Sequence, residues 1–300
     1  MHDVPGAGFA PGRRSMTGPV MRNGKIEGPE ALSFSLADND VCYGYGCYET
    51  LKVRGGLLYL PEFHAERLIA SAEILGIRHE TDATSIVRGL GELVAARGEV
   101  DCNVKVMLIG HDDRPADWYA FALPALYPPS DSAETGVRCL AFRGERHFPR
   151  AKSLSMLLST VAFRRASSLG CYDALLVNRR DELTEGTRTN LFFADARAPG
   201  RAFTPPEADV LSGITRKTCL QALADAGFPC EERALALSDI RSGHIGVLVS
   251  STSTGLVPVR ELIGPENEKG EPYRLPFLPE LSRVVDIYAR WLESYRAAAH

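Results

Sequence analysis

Lys152 is the first residue whose type and place could do chemistry. It stands in His147-Phe148-Pro149-Arg150-Ala151-Lys152-Ser153-Leu154, directly before a helix-like stretch. An amine held partly out of water has a lowered pKa and can form an imine with an aldehyde. Most lysines are solvated surface charges, so this residue alone defines nothing. Glu185 stands in a turn between two apolar, strand-like runs, in Leu183-Thr184-Glu185-Gly186-Thr187-Arg188-Thr189-Asn190-Leu191-Phe192-Phe193. A carboxylate beside a pyridine nitrogen would hold that nitrogen protonated and make the ring an electron sink. Two further segments suit an anion. Ser212-Gly213-Ile214-Thr215-Arg216 opens a helix-like stretch, where free N–H groups and the helix dipole favour negative charge. Ser250-Ser251-Thr252-Ser253-Thr254-Gly255 follows a strand-like run and offers hydroxyl and amide donors. Taken singly, each is what any capped helix or Ser/Thr loop offers.

Other chemistries are excluded. Gly44-Tyr45-Gly46-Cys47-Tyr48-Glu49 begins like a dinucleotide fingerprint but has Glu where the third Gly belongs, and no helix pattern follows. The seven cysteines are odd in number, and neither they nor the seven histidines show metal spacing, so no metal is expected. Reduced thiols fit a cytoplasmic protein. With Lys plus Arg at 34, Asp plus Glu at 38 and a net charge of −4, the chain has no basic patch for nucleic acid. No apolar run approaches the roughly 20 residues that span a bilayer, and the Gly/Pro-rich stretch Met1 to Arg14 lacks the apolar core of a secretory signal.

The elements that must position these residues follow from periodicity. At roughly 150 residues per domain, 300 residues suggest two domains, and the 45% hydrophobic content suffices for cores. Short strands are expected from Val20 to Asp38, broken at Asn23-Gly24 and Gly28-Pro29, then a strand from Tyr43 to Val53. Ala65, Leu68, Ile69, Ala72 and Leu75 predict a helix after Pro61 that ends at Gly76. A second helix, capped at Thr81 or Asp82, stops at Gly98. Strands follow at Asn103 to Ile109 and Trp118 to Leu126. Pro128-Pro129-Ser130-Asp131-Ser132 reads as a linker. Beyond it, strands are expected at Val137 to Phe142, Ala174 to Asn178, Asn190 to Ala194 and Ile245 to Ser250. Helices are expected at Ser155 to Leu169, Thr215 to Ala226 and Pro279 to Ala297. The expected domains are a leader at 1–18, a small α+β domain at 19–127, a linker at 128–136 and a large domain at 137–300.

The order of these motifs resembles the class IV (fold type IV) pyridoxal-phosphate aminotransferases, from Asn23-Gly24-Lys25-Ile26 to about Gly264. The likeness includes Tyr43-Gly44-x-Gly46-x-Tyr48-Glu49-Thr50, His64-x-x-Arg67-Leu68, Gly213-Ile214-Thr215-Arg216 and Ser251-Thr252-Ser253. It implies an α+β fold: a small N-terminal domain and a larger C-terminal domain with a β-rich pseudo-barrel core. It also implies pyridoxal 5'-phosphate as cofactor, a homodimer, and ping-pong transfer of an amino group from an amino acid to a 2-keto acid. Within the resemblance, Lys152 is the Schiff-base lysine and proton shuttle, and Glu185 the partner of the pyridinium nitrogen. Arg67, the backbone of Ile214 and Thr215, Ser251 and Thr252 form the phosphate cup. Branched-chain enzymes carry Tyr five residues after the lysine, where this chain has Leu157, so the D-amino-acid transaminase branch is nearest. That branch places Tyr48 near the substrate carboxylate and clamps the carboxylate with an Arg and a His on a loop. Arg114 matches the Arg, but Ala116 replaces the His. Tyr48 and Arg138 are other candidate carboxylate contacts. The alternatives are an (R)-selective amine transaminase, a branched-chain transaminase or an aminodeoxychorismate lyase.

Overall fold

The computed structural model describes residues 18–35, 37–266 and 270–298, so the expected leader lies, but for Gly18, outside the described residues. The chain divides into two compact units, one of residues up to 127 together with 151–156, the other of 128–150 and 157 onward. The sequence expectation puts 151–156 in the C-terminal domain and makes 128–136 a linker. In the structure 151–156 clusters with the first unit, and 128–136 with the second.

The first unit is built on an antiparallel sheet of β1 (Val20–Arg22), β2 (Lys25–Glu27), β3 (Gly46–Arg54), β4 (Leu57–Leu58), β5 (Cys102–Ile109) and β6 (Asp117–Pro124), in the order β2-β1-β6-β5-β3-β4. Between strands run α1 (Asn39–Tyr43), α2 (Pro61–Ile74) and α3 (Ala83–Arg97). Alternation sorts the side chains, because successive residues of a strand face opposite ways. Cys47, Leu51 and Val53 of β3 and Val104, Val106 and Leu108 of β5 pack with Leu68, Ala72, Ile86 and Leu90 of the helices. α3 has the expected ends: the Asp82 carboxylate accepts from Ser85 N–H, and Gly98 closes it at φ 66°. The strand expected from Tyr43 starts only at Gly46. Tyr43 ends α1, capped by Asp38 and closed by Gly44 at φ 69°. The two glycines therefore have separate reasons. Gly44 adopts a left-handed turn, while a Cβ on Gly46 would lie 2.6 Å from the Leu108 carbonyl oxygen.

The second unit holds α4 (Ser132–Thr135), β7 (Val137–Arg143), α5 (Leu157–Ser168), β8 (Asp173–Val177), β9 (Glu182–Gly186), β10 (Asn190–Asp195), β11 (Ala202–Thr204) and α6 (Ile214–Asp225). After these come β12 (Cys230–Glu232), β13 (Leu235–Ala236), α7 (Leu237–Arg241), β14 (Ile245–Ser251), β15 (Gly255–Ile263), β16 (Tyr273–Arg274) and α8 (Pro279–Ala298). Strands β10, β14, β15, β7, β8 and β9 follow one another, and Asn190 of β10 pairs with Glu185 of β9, which closes a six-stranded barrel. Leu191 and Phe193 fill its interior with Val247 and Val249, while Phe192, Ala194 and Leu248 face α6 and α8. α5 packs Ala162 and Ala166 against Leu140, Ala174 and Leu176. Strands β9 and β15 are absent from the periodicity reading. β9 buries Thr184 and Glu185 inside the fold, so it shows no apolar alternation. The architecture is α+β with a β-barrel core, as the sequence implies.

Candidate active site

Two residues of β3 organise the candidate groups of the first unit. Glu49 shares the parity of Leu51, so its carboxylate points into the helix-covered face with no solvent exposure. It survives there through α2. Arg67 donates from Nε to Oε1 at 2.6 Å and from Nη2 to Oε2 at 2.7 Å, and His64 Nδ1 lies 2.7 Å from Oε2. Burial alone would raise the Glu49 carboxyl, but Arg67 and His64 hold it well below the usual carboxylate range. Burial lowers the His64 pKa against the pull of Glu49. Its Nδ1 stays against Glu49, and among the described residues its buried Nε2 has no hydrogen-bond partner.

Tyr48 points to the other face. The free edge of β3 takes up the chain before α5: Tyr48 N–H donates to the Lys152 carbonyl at 2.9 Å, and Leu154 N–H to that of Gly46 at 2.9 Å. Cys47 and Ser153 form the antiparallel bridge between them. The Lys152 N–H donates to Ser71 Oγ of α2 at 3.1 Å. Pinned on both sides, Lys152 holds its Nζ 4.7 Å from the centre of the Tyr48 ring. The Tyr48 hydroxyl reaches Met156 Sδ at 3.3 Å.

In the second unit, Glu185 is buried in β9 rather than in a turn, because barrel closure recruits it as a strand residue. Its Oε2 accepts from Leu211 N–H at 3.2 Å, and Arg146 Nε lies 3.3 Å from Oε1. Asn190 Nδ2 donates to the Leu211 carbonyl at 2.8 Å, so strands β9 and β10 fix the approach to α6. That helix starts after Gly213 with no side-chain cap, and Ile214 and Thr215 of its first turn are buried. An uncapped, buried helix start is where an anion is stabilised. Ser251 ends β14, with its Oγ 2.7 Å from Thr254 Oγ1, and Thr252 lies in the turn to β15.

Arg114 is half exposed, and its Nη1 donates to Asp117 Oδ2 at 2.8 Å. Asp117 also accepts from Asn23 Nδ2 at 2.6 Å. Arg138 lies in the second unit, paired with Glu261 at 2.6 Å. Tyr48, Arg67 and Lys152 thus belong to the first unit, and Glu185, Ile214, Thr215, Ser251 and Thr252 to the second. Sequence reasoning passed over Glu49 and His64 as chemistry, although a Glu at a core position of β3 was the available signal.

The chain belongs to the amino-transferase class IV family, whose profile matches residues 46–262. It is similar to a D-alanine aminotransferase of Bacillus licheniformis, 26% identical over 84% of this chain and 91% of that protein. It is also similar to a putative branched-chain-amino-acid aminotransferase of Methanocaldococcus jannaschii, 25% identical over 82% and 88% of the two chains. Among solved structures, the branched-chain aminotransferase of Thermoproteus uzoniensis with norvaline superposes at a TM-score of 0.78, with 23% identity over 91% and 94% of the chains. A hypothetical aminotransferase of Mycobacterium tuberculosis in its PLP-bound form does so at 0.76, with 21% identity over 92% and 99%. The protein is therefore an aminotransferase that uses pyridoxal 5'-phosphate and acts on amino and keto acids. Each unit carries groups whose chemistry suits that cofactor: an amine in the first, and a buried carboxylate and an uncapped helix start in the second.

Proposed function

We propose that this aminotransferase prefers D-amino acids as donors and 2-keto acids as acceptors. Bound pyridoxal 5'-phosphate supplies an aldehyde for the donor nitrogen and a ring that takes up electron density. Lys152 would hold it covalently, and its amine, once released, accepts and returns the proton that moves during transfer. Glu185, fixed by Leu211 N–H and Arg146, would hold the protonated ring nitrogen of the cofactor. Arg67, the N–H groups of Ile214 and Thr215, Ser251 and Thr252 would hold the phosphate dianion. Tyr48 positions the substrate against Lys152. The observation that carries the catalytic reading is Lys152 pinned to β3 over the Tyr48 ring.

The D-preference is supported by Leu157, where branched-chain enzymes carry Tyr, and by the D-alanine aminotransferase relatives. The Methanocaldococcus jannaschii relative favours a branched-chain amino acid as the second reading. A donor screen with paired D- and L-amino acids and (R)- and (S)-amines decides. Conversion of the cofactor from aldehyde to amine form with D-alanine but not L-leucine is expected, and the reverse pattern overturns the preference. We also propose a homodimer, which the exposed Tyr43 and Leu157 side chains would help bury. Sedimentation at one subunit mass would refute it.

A further inference from the structure

Lys105 sits at the middle of β5, on the face that carries Tyr48 and Lys152. It lies directly opposite Thr50 of β3 on one side and Phe121 of β6 on the other, and directly opposed residues share a face. Its Nζ lies 4.9 Å from the centre of the same Tyr48 ring that Lys152 approaches at 4.7 Å. Among the described residues its ammonium meets this ring and the charge of Lys152, and no carboxylate. Burial and the Lys152 charge both lower its pKa. A half-buried lysine in mid-strand without a counter-ion is uncommon, since such groups are normally paired or led out to water. Arg114, by contrast, already has Asp117.

We propose that Lys105 is the cation that receives the carboxylate of the amino-acid donor. This deepens the transaminase reading and rests on it, making the donor an amino acid rather than a simple amine. A carboxylate carbon stands two bonds from the amino nitrogen that Lys152 exchanges. A donor lying along the Tyr48 ring therefore presents nitrogen to one lysine and carboxylate to the other. The carboxylate supplies the charge that Lys105 lacks, and the aromatic ring holds water away from the pair. An uncharged amine gains nothing at that end.

The test compares kcat/KM for the accepted enantiomer of alanine with that for isopropylamine, which has a methyl group in place of the carboxylate. In Lys105→Met the ratio falls by about ten- to hundredfold through KM, the scale of a charge-assisted contact, and Lys105→Arg restores most of it. An unchanged ratio overturns the proposal. So does loss of visible cofactor absorbance from Lys105→Met after gel filtration, which would assign Lys105 to the phosphate. If that variant does not fold or turn over, the wild-type holoenzyme decides: lactate should shield Lys105 from acetylation, read by peptide mass, and lactamide should not. Equal labelling with both overturns the proposal. A wild type that converts no donor would refute the transaminase reading, while the lactate arm still reads Lys105.

Discussion

At the residue scale, the site is a matter of which charges are balanced inside the protein. Glu185 lies in a strand whose backbone is committed to the barrel, so Glu185→Gln keeps the shape while removing the charge. That variant should retain the cofactor but slow conversion of aldehyde to amine form by about 10²–10³, the effect of losing one preorganised electrostatic contact. Stopped-flow absorbance checks it, and a parental rate would remove Glu185 from the role proposed for it. Arg67 carries two burdens. Besides the phosphate role proposed for it, it balances a fully buried Glu49. Arg67→Ala should therefore destabilise the cofactor-free protein by about 3–5 kcal/mol, the cost of leaving one charge of a buried pair alone. Urea unfolding of that form separates this loss from weakened cofactor binding, because no cofactor is present in it.

At the element scale, segments pinned by few residues set the geometry. The stretch around Lys152 is held to β3 by two backbone hydrogen bonds and to α2 by Ser71. The loop between β5 and β6 depends on Asp117, which gathers Asn23 and Arg114. Burial would raise the Asp117 carboxyl, but these donors bring it from 3.8 down to about 2. A depressed folded-state pKa stabilises the fold above the unfolded value, and that stability is lost as pH falls through the folded one. Between about pH 4 and pH 2 the wild type should therefore lose urea resistance more steeply than Asp117→Asn. Parallel curves for the two proteins would show that Asp117 does not anchor the loop electrostatically.

At the scale of the whole molecule, the barrel carries the second unit's stability and aims its site residues at once. Phe193 lies fully buried inside it, stacked on Phe203 with ring centres 5.4 Å apart. Phe193→Ala should cost about 3–5 kcal/mol, measured as a shift of the urea midpoint. Since β10 also carries Asn190, the same change should loosen cofactor retention, although Phe193 is no part of the proposed phosphate cup.

Much of this was legible in the sequence. The caps at Asp82 and Gly98, the α2 and α3 periodicities and the order of the motifs depend on neighbours a few residues apart, and local preference decides such features. The sequence by itself determined the family, the cofactor and which residue types stand ready for chemistry. Tertiary structure alone decided that β9 is a strand, because its ladder partners lie on β8 and β13 as well as at Asn190 of β10. It alone turned Glu49 into a buried partner of Arg67, joined Lys152 to β3, and set Lys105 beside the same Tyr48 ring. Glu49 and Arg67, Tyr48 and Lys152, and Tyr48 and Lys105 stand on different elements, and their hydrogen bonds and charges balance only after the sheet registers are set. No short window of sequence contains both partners of these pairs.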